Sequence, residues 1–125
     1  MTTKEIDLDF GKVIIHKNIL IAKLNEGILF DVESNRKLLD LGKEIFKGED
    51  YGYISHRVNS YAVDPMVYFE SANVRNLKAI AVVSYNEFTR KNAEMVERNF
   101  YKDPENAFGV FVTLEEAVAW MLTKF

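Results

Sequence analysis

Leu77-Lys78-Ala79-Ile80-Ala81-Val82-Val83-Ser84 is an almost unbroken apolar run closed by a serine, and its reading decides the fold. A half-exposed strand would alternate polar and apolar residues, whereas this composition suits a strand covered on both faces, as in a parallel arrangement. Downstream, Ser84-Tyr85-Asn86-Glu87 has the spacing of a capping box and opens a helix with Phe88, Asn92, Met95, Val96 and Asn99 on its inward face. Upstream, Tyr51 to Val58 reads as a strand, and Asp64-Pro65 starts a short helix because Asp caps and Pro fits the first helical position. Asp103-Pro104 then breaks the pattern before a strand over Ala107 to Val112. A second capping box, Thr113-Leu114-Glu115-Glu116, opens a helix with Leu114, Ala117, Val118, Met121 and Leu122 inward.

The N-terminal third reads differently. Ile6, Leu8 and Phe10 alternate with Asp7 and Asp9, and Val13 to Ile15 and Ile19 to Leu24 follow across Lys17-Asn18, where Asn18 is expected to take the positive φ of a tight turn. This pattern predicts an antiparallel meander. After Asn25-Glu26-Gly27 the period becomes helical, with Leu38, Leu41 and Ile45 beside Leu39, Gly42 and Phe46 from about Ser34 to Lys47, stopped by Gly48. The expected architecture is α/β, one domain over residues 1–125. Its mixed sheet has antiparallel N-terminal strands followed by βαβα units, with about four helices on right-handed crossovers.

The chain has 125 residues, 48% of them apolar and 13% aromatic, enough for one substantial core. A formal charge of −3 with both signs interspersed offers no basic field for phosphate neutralisation, so no nucleic-acid partner is expected. The absence of cysteine excludes disulfides, thiolate metal sites and cysteine nucleophiles and fits a cytoplasmic setting. Met1 to Asp9 alternates charge with apolar residues, unlike an export signal, and the longest apolar runs fall short of the ~20 residues that span a bilayer. His16 and His56 lack carboxylates at ligand spacing, and the six glycines form no phosphate-loop or dinucleotide fingerprint, so neither a metal nor a cofactor is expected.

Phe10-Gly11-Lys12-Val13, Ile54-Ser55-His56-Arg57-Val58-Asn59-Ser60-Tyr61-Ala62-Val63-Asp64-Pro65, the Leu77 to Ser84 run and Leu114-Glu115-Glu116-Ala117-Val118-Ala119-Trp120-Met121 carry a resemblance that covers most of the chain. Together they resemble the STAS-like fold, in particular the SpoIIAA-like group of small bacterial proteins labelled STAS/SEC14 domain-containing. Anti-sigma-factor antagonists of that fold place a phosphorylatable serine in an Asp-Ser-x-Gly type loop between a strand and a helix. Val58-Asn59-Ser60-Tyr61 stands at that place without the glycine, and the resemblance implies Ser60 as the phosphoacceptor. It further implies a non-enzymatic regulatory or protein-interaction module working through a protein partner or self-association. Lipid-associated relatives imply the alternative of a small-molecule or lipid-binding domain.

The residues themselves point to the C-terminal ends of the strands, where helix N-termini gather. One loop supplies Arg57, Asn59 and Ser60, and the other supplies Ser84, Asn86 and, one turn on, Arg90. A small anionic ligand or a phosphorylated partner fits such a set. The bland alternative makes Ser84 a cap, Asn59 a turn residue and Arg57 a solvated charge. Arg90, Glu94, Glu97 and Arg98 read as a solvated helix face with pairs four apart, Arg90 with Glu94 and Glu94 with Arg98. Tyr51, Tyr53, Tyr61, Tyr68 and Phe69 are expected as core, or as the lining of an apolar pocket or a partner surface along a sheet edge.

Overall fold

The structure, a computed structural model, describes residues 3–101 and 107–125, so Asp103-Pro104 lies outside the described residues. The chain is α/β, as the pattern predicts. β1 (Lys4–Leu8), β2 (Gly11–His16) and β3 (Ile19–Leu24) form the meander, and β4 (Leu29–Phe30) leads into α1 (Val32–Phe46). β5 (Tyr51–His56), β6 (Ala62–Val63), α2 (Met66–Ala72) and β7 (Leu77–Val83) follow, then α3 (Glu87–Met95), a 3-10 turn (Glu97–Phe100), β8 (Ala107–Phe111) and α4 (Leu114–Leu122).

Six strands make one sheet in the order β1-β2-β3-β5-β7-β8. β1, β2 and β3 pair antiparallel, and β3, β5, β7 and β8 pair parallel. β4 and β6 form a separate two-stranded parallel pair, Leu29 with Ala62 and Phe30 with Val63. At two residues each they have no period to read in the sequence. β5 lies inside the sheet, so its tyrosines do not sit at an edge as the sequence suggested.

Both faces of the sheet are buried, which is why β7 reads as a continuous apolar run. On one face Val13, Leu20, Ala22, Leu77, Ile80 and Val82 pack under α1, α2 and α3 through Leu38, Phe46, Val67 and Ala93. On the other, Ile19, Ile21, Ile54, Ala79, Ala81 and Val83 meet Ala117 and Met121 of α4. Of the residues expected inward on α4, Leu122 instead faces solvent.

The helix boundaries differ from the sequence reading for local reasons. α1 begins two residues earlier than expected because Asp31 caps it, its carboxylate accepting from Ser34 N–H at 2.8 Å. Lys17, with φ 53°, takes the left-handed position expected of Asn18. Asn18 instead donates from Nδ2 to the Asp50 carbonyl at 2.8 Å, and its own carbonyl accepts from Gly52, tying the hairpin to the start of β5. Asp64 Oδ1 accepts from Met66 N–H at 3.0 Å at the start of α2.

α4 carries the complete capping box read from Thr113 and Glu116. Thr113 Oγ1 accepts from Glu116 N–H at 3.2 Å, and Glu116 Oε1 accepts from Thr113 N–H at 3.2 Å. Thr113→Ala removes one half of this exchange and is expected to cost about 1 kcal/mol. Urea unfolding with an unchanged m-value checks it; a midpoint equal to wild type would mean that α4 does not depend on its cap.

Candidate functional site

The 57–65 loop leaves the C-terminal end of β5 and is pinned on both sides. Arg57 N–H donates to the Val83 carbonyl at 2.8 Å, and Asn59 Nδ2 donates to the Leu24 carbonyl at 2.8 Å. Ser60 N–H donates to the Glu26 carboxylate, while the Ser60 carbonyl accepts from Gly27 N–H at 2.7 Å. Opposite stands α3. Between loop and helix lies a cleft of about 410 Å³, lined by Asn59, Ser60, Tyr61 and Tyr68 on one side and by Phe88, Thr89, Asn92 and Val96 on the other.

Arg57 forms the floor. Its Nη1 and Nη2 each donate at 2.6 Å to a different oxygen of Glu97, and its Nε donates to Ser55 Oγ at 2.9 Å. The pair is buried, with side-chain exposures of 13% for Arg57 and 4% for Glu97. Arg57 is therefore no solvated charge, and Glu97 does not lie on a solvated helix face. Burial works against the Arg57 charge, but Glu97 outweighs it and leaves the guanidinium more firmly protonated than an ordinary arginine.

Beneath the pair lies a chamber of about 30 Å³, room for a water, lined by Tyr53, Ser55, Tyr61, Tyr68, Ser71 and Tyr101 among others. Arg57, Tyr61, Val63 and Tyr68 border both spaces and form the partition between chamber and cleft. Burial, first of all, pushes the hydroxyls of Tyr53, Tyr68 and Tyr101 well above the ordinary value of 10.0. These phenols stay protonated. Tyr51 belongs elsewhere: it stacks on Phe46 with centroids 4.6 Å apart, and burial raises it to about 12.

The second expected group does not join the first. Ser84 is buried, its N–H donating to the Phe111 carbonyl at 3.1 Å and its Oγ accepting from Asn86 N–H at 3.1 Å. Asn86, not Ser84, caps α3 by accepting from Thr89 N–H at 3.0 Å. Arg90 Nη1 donates to the Ser84 carbonyl at 2.8 Å rather than pairing with Glu94. Glu94 goes to Arg98, at 2.6 Å, as the four-residue spacing predicts. Ser84, Asn86 and Arg90 thus build the turn into α3, while Arg57, Asn59 and Ser60 line the cleft.

α3 also turns the other way from the sequence reading. It buries Ala93, and Phe88 and Met95 are 80% and 73% exposed. The missed member of the site is Glu97, and a signal for it existed: it stands four residues after Ala93, on the same helical face as the one small apolar residue of α3.

His56 shares a strand face with Ile54, on the α4 side, away from the cleft. Burial first, and Lys23 second, lower its pKa below the ordinary 6.5, with Glu115 acting in the opposite sense. The unfolded chain takes up this proton at a pH where the folded chain does not, so the folded state is favoured fully above 6.5 and loses that advantage as pH falls below it. His56→Gln is expected to flatten the decline of stability on acidification just below that pH. Urea midpoints at successive pH values check it, and identical slopes in the two proteins would count against the assignment.

Comparison with known proteins finds no family model, no curated protein and no solved structure that matches this chain. Among the described residues there is no cluster of three metal-ligating side chains, and no helix is long and apolar enough to cross a membrane.

Proposed function

We propose that this chain is a non-enzymatic binding module that takes a small molecule into the cleft between the 57–65 loop and α3. One observation carries the reading. A concavity of about 410 Å³ at the C-terminal ends of parallel strands has a floor fixed by the buried Arg57–Glu97 pair. Pockets of this size with a few oriented polar groups are the usual form of small-molecule sites. A larger hollow of about 570 Å³ around Lys43, Tyr51 and Asn76 lies at the opposite ends of those strands and has no such floor. The non-enzymatic part is supported by the state of the reactive groups: the phenols are pushed away from neutrality, Arg57 is engaged with Glu97, and His56 faces α4.

A fragment panel titrated into the labelled protein is expected to move the amides of Ser60, Tyr61, Phe88 and Asn92. Thr89→Trp, which fills the cleft, is expected to abolish those shifts. Responses confined to Leu39, Lys43 and Asn76 would place binding in the other hollow and overturn the reading.

A second reading is favoured by the exposed Tyr85, Phe88 and Met95, large apolar side chains of the kind a protein partner or a second copy covers. The STAS-like assignment, with its cytoplasmic setting and a regulatory Ser60, belongs to this reading. A phosphate on Ser60 would stand beside the Glu26 carboxylate and loosen the loop by like-charge repulsion. A partner recovered by pull-down and lost with both Phe88→Glu and Ser60→Asp would support it; recovery unchanged by both would exclude this surface.

A further inference from the structure

We infer that the cleft selects an uncharged ligand, an apolar, flat body bearing a hydroxyl or amide, over a carboxylate, phosphate or ammonium of the same shape. The inference rests on the cleft being the binding site and concerns what that site accepts. Among the described residues that line the cleft Arg57 alone is charged, and three of its five N–H donors are engaged, two by Glu97 and one by Ser55. The Glu97 carboxylate, 2.6 Å behind the guanidinium, cancels its field, so an incoming anion meets a satisfied pair. Two carboxylates bond the loop that forms one wall. Glu26 accepts from Ser60 N–H and Asp64 accepts from Met66 N–H at 3.0 Å, each holding the loop in place.

An anion entering this cleft would shed water to meet a cation already neutralised by Glu97, and an ammonium would sit against Arg57 with no carboxylate released to receive it. The walls instead offer neutral hydrogen-bonding residues, Ser60, Tyr61, Thr89 and Asn92, between the apolar surfaces of Val63, Pro65, Phe88 and Val96. Such a lining matches a molecule with an extended apolar face and one or two neutral polar groups.

The test uses three probes of one shape, 2-naphthylmethanol, 2-naphthoate and 2-naphthylmethylamine, titrated into the full chain at neutral pH with cleft amides as the readout. The alcohol is expected to bind about tenfold more tightly than either charged probe, because each must be desolvated without a partner. Glu97→Gln keeps the shape of the floor but frees the Arg57 charge, and is expected to invert the order of alcohol and carboxylate. Carboxylate or amine binding as tight as the alcohol in the unaltered chain would overturn the inference while leaving the cleft as a site. Silence of the cleft amides toward all three probes would overturn the site itself, and the inference with it. The unaltered chain decides the matter even where Glu97→Gln folds poorly.

Discussion

Arg57→Ala is expected to destabilise the protein by about 3–5 kcal/mol, a large part of the ~5–15 kcal/mol that holds a domain of this size together. The substitution removes the two 2.6 Å bonds to Glu97 and the 2.9 Å bond to Ser55, and it leaves a carboxylate buried without its counter-charge. Most of the loss comes from that stranded charge rather than from the attraction between the partners. Replacing both residues with methionine should therefore cost far less than Arg57→Ala alone, since two apolar side chains of similar length leave no buried ion behind. Urea unfolding of the single and double variants measures the coupling. If the double variant is as unstable as Arg57→Ala, the pair does not work as described.

Met121→Ala is expected to cost about 4 kcal/mol, in the upper part of the range for a large core side chain cut to alanine. Met121 is fully buried, and it fills the space above Gly52 of β5: a Cβ at Gly52 would lie 2.3 Å from Met121 Sδ and 2.8 Å from its Cγ. A glycine has no side chain that could swing into the void. The converse change, Gly52→Ala, overpacks the same place and should cost about 1–3 kcal/mol. Together the two changes are expected to be less harmful than their sum, because the added methyl group enters the space the methionine vacates. Strict additivity in thermal or urea unfolding would show that the two residues do not share that space.

The sequence revealed the sheet more readily than the site. Leu77 to Val83 coincides with β7 residue for residue because burial on both faces leaves its mark on every position. The Thr113 box is equally legible, since both of its hydrogen bonds close within four residues. The Ser84 spacing mimics such a box, but β8 holds Ser84 through Phe111, so the cap passes to Asn86. For α3, the stripe Phe88, Asn92, Met95 has helical spacing and apolar bulk, which size alone assigns to the core. The helix turns the other way because Glu97 reaches inward to Arg57, a partner 40 residues distant. No local pattern encodes that pairing. Arg57, Asn59 and Ser60 are legible because strand ends collect ligand-binding loops, and Glu97 is not because acidic residues on helices usually face water.

The short β4–β6 pair sets the kinetic character of the cleft. One wall of the cleft, around Tyr61 and Val63, lies outside the six-stranded ladder and is held by two residues of each short strand, by the Gly27–Ser60 link, by the Asn59 bond to the Leu24 carbonyl and by the Tyr61–Ser55 hydroxyl contact. With so few links, this wall is expected to open while the main sheet stays intact. Amide exchange at Ala62 and Asp64 should therefore proceed through an opening much cheaper than global unfolding, and a molecule bound in the cleft would slow exchange there before it slowed it anywhere in β7.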